Sequence, residues 1–225
     1  MAIISHKNRF IFIHIPKTAG TAINWALQEK SNVSFRKFYG KLKYIYYSLV
    51  SPNMCFTLYT PKIQKHAKAK EIRSVIPKQI WKEYFTFAFV RNPWDLMVSS
   101  YEWWLQMAGM WPDLHDDIQK IKKMKGFHEF IWSEYGLSRI NEQYGNIYDW
   151  ISEGDDEIIV DYVGKYENLD KDLNWIGSHL GISEVVPPKI NVTERLPYRE
   201  YYDEESKKLV GERFEKTIEK FEYSF

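Results

Sequence analysis

Cysteine is nearly absent from this chain of 225 residues, which contains a single one, Cys55. One cysteine cannot form an intramolecular disulfide, and a zinc cluster built from several cysteines is excluded with it. Both exclusions suit a reducing compartment, so we expect a cytoplasmic protein. The start of the chain agrees with that expectation, because Met1 leads almost directly into an apolar segment without the basic and long apolar regions of a signal peptide.

An excess of charge of one sign is also lacking, since 31 Lys and Arg residues face 30 Asp and Glu residues. This balance gives no general field for nucleic acid or for an anionic membrane. The longest apolar stretch near the middle, residues 42–50, is too short to span a bilayer. Without repeats, low-complexity segments or flexible linkers, the sequence predicts one domain over residues 1–225.

Short apolar runs alternate with helical patterns along the chain. The runs at 10–15, 85–90 and 157–164 are predicted strands, and the first two are apolar almost throughout, as in strands covered on both faces. Predicted helices begin near Thr21, Pro93, Leu169 and Asp203. This alternation predicts an α/β fold with a parallel sheet flanked by helices, and such sheets bind ligands at the carboxyl ends of their strands.

The first predicted strand ends in a polar turn, PKTAGT at residues 16–21. Lys17 and the backbone N–H groups of residues 18–22 would lie at a helix N-terminus, where anions are stabilised. Gly20 allows a close backbone approach, and two threonines add hydroxyl donors. The turn is not a Walker P-loop, because its lysine precedes the glycine. An ordinary strand–helix turn with a solvated lysine is the alternative interpretation.

A second polar turn follows the strand at 85–90. Arg91 comes directly after this strand, and Ser99 lies eight residues later on the next predicted helix, for which Asn92 is a suitable cap. A planar guanidinium with a hydroxyl near a helix start is another site of the kind that binds phosphate. Two anion sites at the ends of two strands suggest a ligand with two separated anionic groups.

These segments resemble a known family. HIPKTAGTAI at 14–23 and FAFVRNPWDLMVSSY at 87–101 are similar to segments of the sulfotransferases that use 3′-phosphoadenosine 5′-phosphosulfate, in particular the branch with carbohydrate and heparan-type O-sulfotransferases. The resemblance continues, in the family's order, through HAKAKEIR at 66–73, DYVGKYENLDKDL at 161–173 and NVTERLPYREYYD at 191–203. It therefore covers most of the chain.

The resemblance implies a P-loop-NTPase-like fold in which the turn after the first strand holds the 5′-phosphosulfate and the second turn holds the 3′-phosphate. A loop after residue 187 would close over the nucleotide. The nucleotide-binding residues that it implies are Lys17, Thr18, Ala19, Gly20, Thr21, Ala22, Arg91, Ser99 and Arg195. The chain departs from the family in having Ala22 where serine is usual and Leu96 where a cation is frequent, so one hydroxyl and one charge are missing.

Sulfuryl transfer is an in-line displacement in which positioning and electrostatics dominate. Because a sulfuryl group carries less charge than a phosphoryl group, no metal is required. Lys17 would stabilise the leaving oxygen, and His66, at the start of a predicted helix, is the candidate base for an acceptor hydroxyl. A surface or capping histidine is the alternative interpretation of His66, Glu167 is the alternative base, and His14 is interpreted as a core residue.

The acceptor is less well defined than the donor. Sugar hydroxyls are favoured by the branch that the chain resembles, while a phenol, a lipid or a small metabolite remains possible. Trp103, Trp104 and Trp111 either line an acceptor cleft or pack in the core. Two other functions compete: a P-loop kinase, which would need a Walker lysine and a magnesium-binding carboxylate, and a non-catalytic nucleotide- or glycan-binding protein, which could dispense with Lys17.

Overall fold

The computed structural model describes residues 2–31, 36–38, 55–58, 66–106, 110–154, 157–182, 185–190 and 192–225. The apolar segment at 42–50 lies outside these residues. The chain divides into two compact units, the first made of Met1–Val90 and Asp149–Ile190 and the second of Arg91–Tyr148 and Asn191–Phe225. The single domain over residues 1–225 stays a prediction.

The elements below are those of the described residues. The strands are β1 (Ile3–Ser5), β2 (Phe10–Ile13), β3 (Arg36–Phe38), β4 (Cys55–Leu58), β5 (Phe85–Val90), β6 (Arg139–Ile140), β7 (Gln143–Tyr144), β8 (Ser152–Glu153), β9 (Glu157–Ile158) and β10 (Tyr162–Lys165). The helices are α1 (Gly20–Ser31), α2 (Ala69–Val75), α3 (Lys78–Glu83), α4 (Pro93–Gln106), α5 (His115–Lys122), α6 (Phe127–Trp132), α7 (Glu134–Leu137), α8 (Leu169–His179), α9 (Glu204–Arg213) and α10 (Glu215–Phe221). No helix among them is both long and apolar enough to cross a bilayer.

The first unit contains a six-stranded sheet in the order β10-β5-β2-β1-β4-β3. The three strands β10, β5 and β2 are parallel neighbours, as the sequence predicts. Their carboxyl ends therefore lie at one edge of the sheet. From this edge β2 leads into the turn that contains Lys17, and β5 ends one residue before Arg91 in the sequence.

The prediction of a parallel sheet is confirmed only in part, because β1 pairs antiparallel with both β2 and β4. Only residues 6–9 separate β1 from β2. A connection this short can reverse the chain but cannot carry it back for a parallel crossover. The fold is a mixed α/β fold with a partly parallel sheet.

The predicted strand at 157–164 is also divided in the structure. Glu157–Ile158 pairs with Ser152–Glu153 in a small hairpin, and only Tyr162–Lys165 joins the large sheet. At the division, the Asp161 carboxylate accepts hydrogen bonds from the Thr86 backbone N–H and hydroxyl, both at 2.7 Å. These bonds fix the start of β10 against the start of β5.

The core of the first unit lies between the sheet and two helices. The predicted inward face of α1 packs there, with Ile23 and Leu27 buried, and so does the face of α8 with Leu173 and Ile176. Phe87 of β5 lies in the same cluster. Burying a large apolar side chain contributes about 1.5–3 kcal/mol to the free energy of unfolding. The buried side chains of α1 therefore hold this helix against the sheet and fix its start relative to β2.

The second unit is mostly helical and surrounds α4. Tyr101 of α4 packs against Phe130 at a ring distance of 5.1 Å, and Trp104 packs edge-on against Tyr135 at 5.5 Å. Arg213 of α9 binds three backbone carbonyls, those of residues 136, 139 and 145. The last predicted helix, from about Asp203, is two helices that meet at the buried residue Phe214.

His6, in the turn between β1 and β2, makes the stability of the fold depend on pH. Its ring nitrogen Nδ1 lies 2.5 Å from the Tyr84 hydroxyl, and burial lowers the pKa of His6 from 6.5 to about 4. A lowered histidine pKa leaves stability intact above pH 6.5 and removes it as the pH falls toward 4, because the unfolded chain takes up the proton first. We expect this group to account for at most about 3 kcal/mol of lost unfolding free energy over that range.

Urea titrations of the wild type and of His6→Asn, made at several pH values between 4 and 7.5, measure this contribution. The amide of His6→Asn can still bond Tyr84 but does not titrate, so the variant should lose less stability on acidification. If the wild type and His6→Asn differed in unfolding free energy by the same amount at every pH, the prediction would be contradicted.

Candidate active site

The turn between β2 and α1 has an unusual backbone. Lys17 and Ala19 have φ angles of 65° and 60°, in the left-handed region that residues other than glycine rarely adopt. They stand on either side of Thr18, and alternation of this kind directs successive N–H groups into one concavity, as in the backbone nests that bind anions. The buried Thr18 hydroxyl donates to the Ile15 carbonyl at 3.0 Å and so stabilises the turn from within.

The turn runs directly into the N-terminus of α1. The first hydrogen bond of this helix joins the Ile23 N–H to the Ala19 carbonyl at 3.0 Å. The N–H groups of residues 20–22 therefore lie at the positive end of the helix dipole, where the helix itself supplies no acceptor. The Thr21 side chain is exposed, whereas Ala22 is buried and has only its N–H for a ligand.

His66 lies in the first unit, three residues before the start of α2, and is 7% exposed. His66 was predicted to begin this helix, but it lies just before it. Its position is fixed by contacts with His14 and Trp150. The imidazole Nδ1 lies 3.3 Å from the His14 carbonyl oxygen. The His66 carbonyl accepts a hydrogen bond from the Trp150 indole N–H at 3.1 Å, which fixes the backbone at this point.

His14 is buried, as the sequence predicts, but it contacts both candidate catalytic segments. Its ring packs edge-to-face on the His66 ring at a centroid distance of 4.6 Å. It also covers Gly20 so closely that a Cβ atom at Gly20 would lie 1.9 Å from His14 Cδ2. The lack of a side chain at Gly20 is thus needed to accommodate the neighbouring His14 ring.

Arg91 and Ser99 are brought together in the second unit, as predicted. The Arg91 Nη1 donates to the Ser99 hydroxyl oxygen at 3.1 Å, and both side chains are buried. Because the Ser99 oxygen accepts this bond, its own proton can be donated to another acceptor. On its other edge, Arg91 donates to the Asp95 carboxylate from Nε at 2.7 Å and contacts it from Nη2 at 2.6 Å.

Arg195 joins the same cluster through Asp95. Its Nη2 donates to the second Asp95 oxygen at 2.6 Å, so a single carboxylate lies between two guanidinium groups. Its Nη1 is buried and has no hydrogen-bond partner among the described residues. Two cations and one carboxylate give the cluster a net positive charge, and an unsatisfied cationic donor favours the arrival of an anion.

The segment that carries Arg195 is attached to α4 by further polar contacts. Gln106 donates to the Glu194 carbonyl at 2.9 Å, and Tyr201 donates to the Glu102 carboxylate at 2.8 Å. Burial and the bond to Glu102 raise the pKa of Tyr201 to about 12, so it remains a donor at neutral pH. The predicted closing loop is therefore held on α4 in this structure.

The remaining candidates have different surroundings. Glu167, the alternative base, is exposed in the short helical turn after β10. Trp103 and Trp104 pack edge-on against each other at 5.2 Å and are buried, so they belong to the core, whereas Trp111 is exposed. In the described ranges no group of three or more metal-ligating side chains comes together.

Sequence reasoning missed the contacts of His14 and Asp95. Asp95 was not singled out as a site residue, although its spacing of four residues from Arg91 is a signal for an ion pair. His14 lies two residues before the predicted anion turn, but its contact with His66 joins residues 52 positions apart and has no local signal.

Comparison with known proteins identifies the family of this chain. A sequence model described as the sulfotransferase family matches residues 1–224, which include both polar turns. An uncharacterized protein of Archaeoglobus fulgidus is 28% identical over 130 residues, or 57% of this chain and 93% of that protein. No solved structure shows a significant match. The chain therefore belongs to the sulfotransferase family, whose chemistry is the transfer of a sulfuryl group.

Proposed function

We propose that this protein transfers a sulfuryl group from 3′-phosphoadenosine 5′-phosphosulfate to a hydroxyl group, with a carbohydrate as the acceptor. The observation that carries the proposal is the turn after β2, where the left-handed residue Lys17 leads into the N-terminus of α1 in a chain of the sulfotransferase family. The carbohydrate acceptor, the P-loop-like character of the fold and a cytoplasmic location are parts of the proposal that rest on the sequence.

The described residues fit this donor at two separate places. The turn at 16–19 and the N–H groups at the start of α1 suit a 5′-phosphosulfate. In the second unit, Arg91, Ser99 and the unsatisfied Nη1 of Arg195 suit a 3′-phosphate, because they are charged or hydroxyl donors in a cluster of net positive charge.

Two residues of this chain would carry the chemistry. His66 removes the proton from the acceptor hydroxyl as the acceptor oxygen forms its new bond to sulfur. The bond from sulfur to the 5′-phosphate oxygen breaks, and Lys17 stabilises the negative charge that this leaving oxygen gains. The products are the sulfated acceptor and adenosine 3′,5′-bisphosphate, and the proton resides on His66.

Within the neutral form of His66 that this step requires, the contact with His14 selects one tautomer. A backbone carbonyl can only accept a hydrogen bond, so the bond at 3.3 Å requires the proton on Nδ1. In a neutral imidazole the lone pair then lies on Nε2. His66 is in this way prepared to accept a proton through Nε2.

Calorimetric titration with adenosine 3′,5′-bisphosphate in the presence of EDTA tests the donor. We expect binding without added metal, and weaker binding of adenosine 5′-monophosphate, which lacks the 3′-phosphate. Transfer of labelled sulfate to a panel of glycans and small hydroxyl compounds tests the acceptor. Binding only of ATP with Mg²⁺ would overturn the proposal in favour of a kinase, and nucleotide binding without transfer to any acceptor would favour a binding protein.

Arg91→Ala should weaken the binding of adenosine 3′,5′-bisphosphate by about 1.5–3 kcal/mol, the scale of a charge-assisted hydrogen bond. The affinity for adenosine 5′-monophosphate should change much less, because that nucleotide has no 3′-phosphate. Titration of both nucleotides into the variant measures the difference. Arg9→Ala is the control, since Arg9 pairs with Glu83 at an exposed position.

An equal loss of affinity for the two nucleotides in Arg91→Ala would place the 3′-phosphate elsewhere. Removal of Arg91 still leaves Asp95 bonded to Arg195, so the carboxylate is not left without a cation. Thermal unfolding of each variant shows whether the cluster is intact before binding is interpreted.

A further inference from the structure

We propose that His14 is a positioning residue for sulfuryl transfer, which holds His66 and the anion-binding turn in fixed relation to each other. The inference rests on the proposed function of His66 as the base. His14 itself contacts neither reacting atom in this scheme. It acts through its backbone carbonyl on one side and through its ring on the other.

The backbone of His14 determines which nitrogen of His66 is protonated. His14 is the first residue after β2, so the parallel pairing of β2 with β5 fixes the position of its carbonyl. The bond from His66 Nδ1 to this carbonyl selects the tautomer with its lone pair on Nε2. The sheet thus sets the protonation pattern of a residue that lies far from it in the sequence.

The ring of His14 determines where His66 and α1 can lie. It is held between three neighbours: it stacks on Phe12 at a centroid distance of 6.0 Å, meets His66 edge-to-face at 4.6 Å and covers the Cα of Gly20. His14 and His66 are 6% and 7% exposed, so both rings are enclosed by protein. Because the His14 ring touches both Gly20 and His66, we expect a displacement at Gly20 to reach the His66 ring.

The tautomer is tested by long-range proton–nitrogen NMR of protein labelled with ¹⁵N-histidine. The chain has six histidines, and His66→Gln identifies the signals of His66. At alkaline pH we expect the Nδ1-protonated form of His66 in the wild type. A signal of the Nε2-protonated form would overturn the inference, whatever reaction the protein catalyses.

The ring is tested by His14→Ala and by His14→Gln, whose planar amide is closer in size to imidazole. His14→Ala should lower kcat about 10- to 100-fold, since a misplacement of about 1 Å can cost that much, with little change in the affinity for adenosine 3′,5′-bisphosphate. His14→Gln should recover part of the lost rate. Equal damage by both variants would overturn positioning by shape, because it would indicate that the imidazole itself is needed.

His6→Asn is the matched control at pH values above 7. His6 is another buried histidine of the first unit, but it precedes β2, at the end of this strand opposite to the one that leads into the anion turn. We expect its kcat to equal that of the wild type. If His6→Asn lost as much rate as His14→Ala, the loss would be a general effect of replacing a buried histidine. That result would overturn a specific function for His14.

A double-mutant cycle with Gly20→Ala measures the proposed connection directly. In the wild type the new methyl group would lie 1.9 Å from His14 Cδ2 and 2.1 Å from His14 Nε2, so the ring must move. His14→Ala removes the three atoms nearest to the new methyl group, so Gly20→Ala should then reduce kcat by a smaller factor. Independent effects of the two substitutions would overturn the inference.

The outcomes separate this inference from the proposed function. The tautomer signal does not require sulfuryl transfer. The same double-mutant cycle can also be measured through the free energy of unfolding, which does not require transfer either. If the wild type transfers no sulfate but both of these readouts behave as expected, the proposed function fails while the connection through His14 stands as a structural one. If transfer is observed and the two readouts fail, only the function of His14 is overturned.

Discussion

His66→Ala is expected to slow sulfuryl transfer by about 10²–10⁴-fold, the usual effect of removing a general base. The affinity for adenosine 3′,5′-bisphosphate should be nearly unchanged, because the base acts on the acceptor hydroxyl. The wild-type rate should rise with pH as an imidazole loses its proton, and the variant should lack this rise. Initial rates between pH 5.5 and 8.5, with calorimetry on the same samples, measure both effects.

His128→Ala is a suitable control, because His128 is a histidine at an exposed position of the second unit. If His66→Ala turned over normally and kept the rise of rate with pH, His66 would not be the base. The next variant to test would then be Glu167→Gln, since the exposed carboxylate of Glu167 follows the carboxyl end of β10.

Lys17→Ala should lower kcat by about 10²–10³-fold, as the removal of one group that stabilises a developing charge generally does. The affinity for adenosine 3′,5′-bisphosphate should fall by a much smaller factor, because the charge on the leaving oxygen grows only in the transition state. Comparison of kcat with the calorimetric dissociation constant tests this difference.

The substitution Lys17→Ala separates the effect of the ammonium group from that of the backbone. Lys17 has a φ of 65°, and alanine carries the same Cβ, so the conformational cost of the left-handed turn is similar in both proteins. Lys78→Ala, on an exposed face of α3, controls for the loss of one positive charge. If Lys17→Ala lowered the nucleotide affinity and kcat by the same factor, Lys17 would only anchor the nucleotide.

Several features could be predicted from the sequence because their causes are local. The strand Phe85–Val90 has the predicted bounds, since an apolar run ended by a helix-capping segment is a signal within a few residues. Asn92 caps α4, with its side-chain oxygen accepting from the Trp94 N–H at 3.1 Å. The position of the polar turn after β2, the start of α1 and the closeness of Arg91 to Ser99 follow from spacing along the chain in the same way.

Other features depend on which distant segments meet, and the sequence does not encode this in any short pattern. The antiparallel β1 was missed because three residues show no period, and its direction follows from the tight turn and from its pairing with β4. The division of the third strand depends on Asp161 meeting Thr86, 75 residues away.

The same reason explains what was missed in the candidate active site. A lone carboxylate such as Asp95 is ambiguous in a sequence, and only folding places Arg195, a hundred residues later, on its second oxygen. A lone histidine in an apolar strand is equally ambiguous, and only the fold places His66 and Gly20 against the ring of His14. The sequence determined which chemical groups this protein has, and the tertiary structure decided which of them touch, because hydrogen bonds and ring contacts require distances of a few ångströms between segments that are remote along the chain.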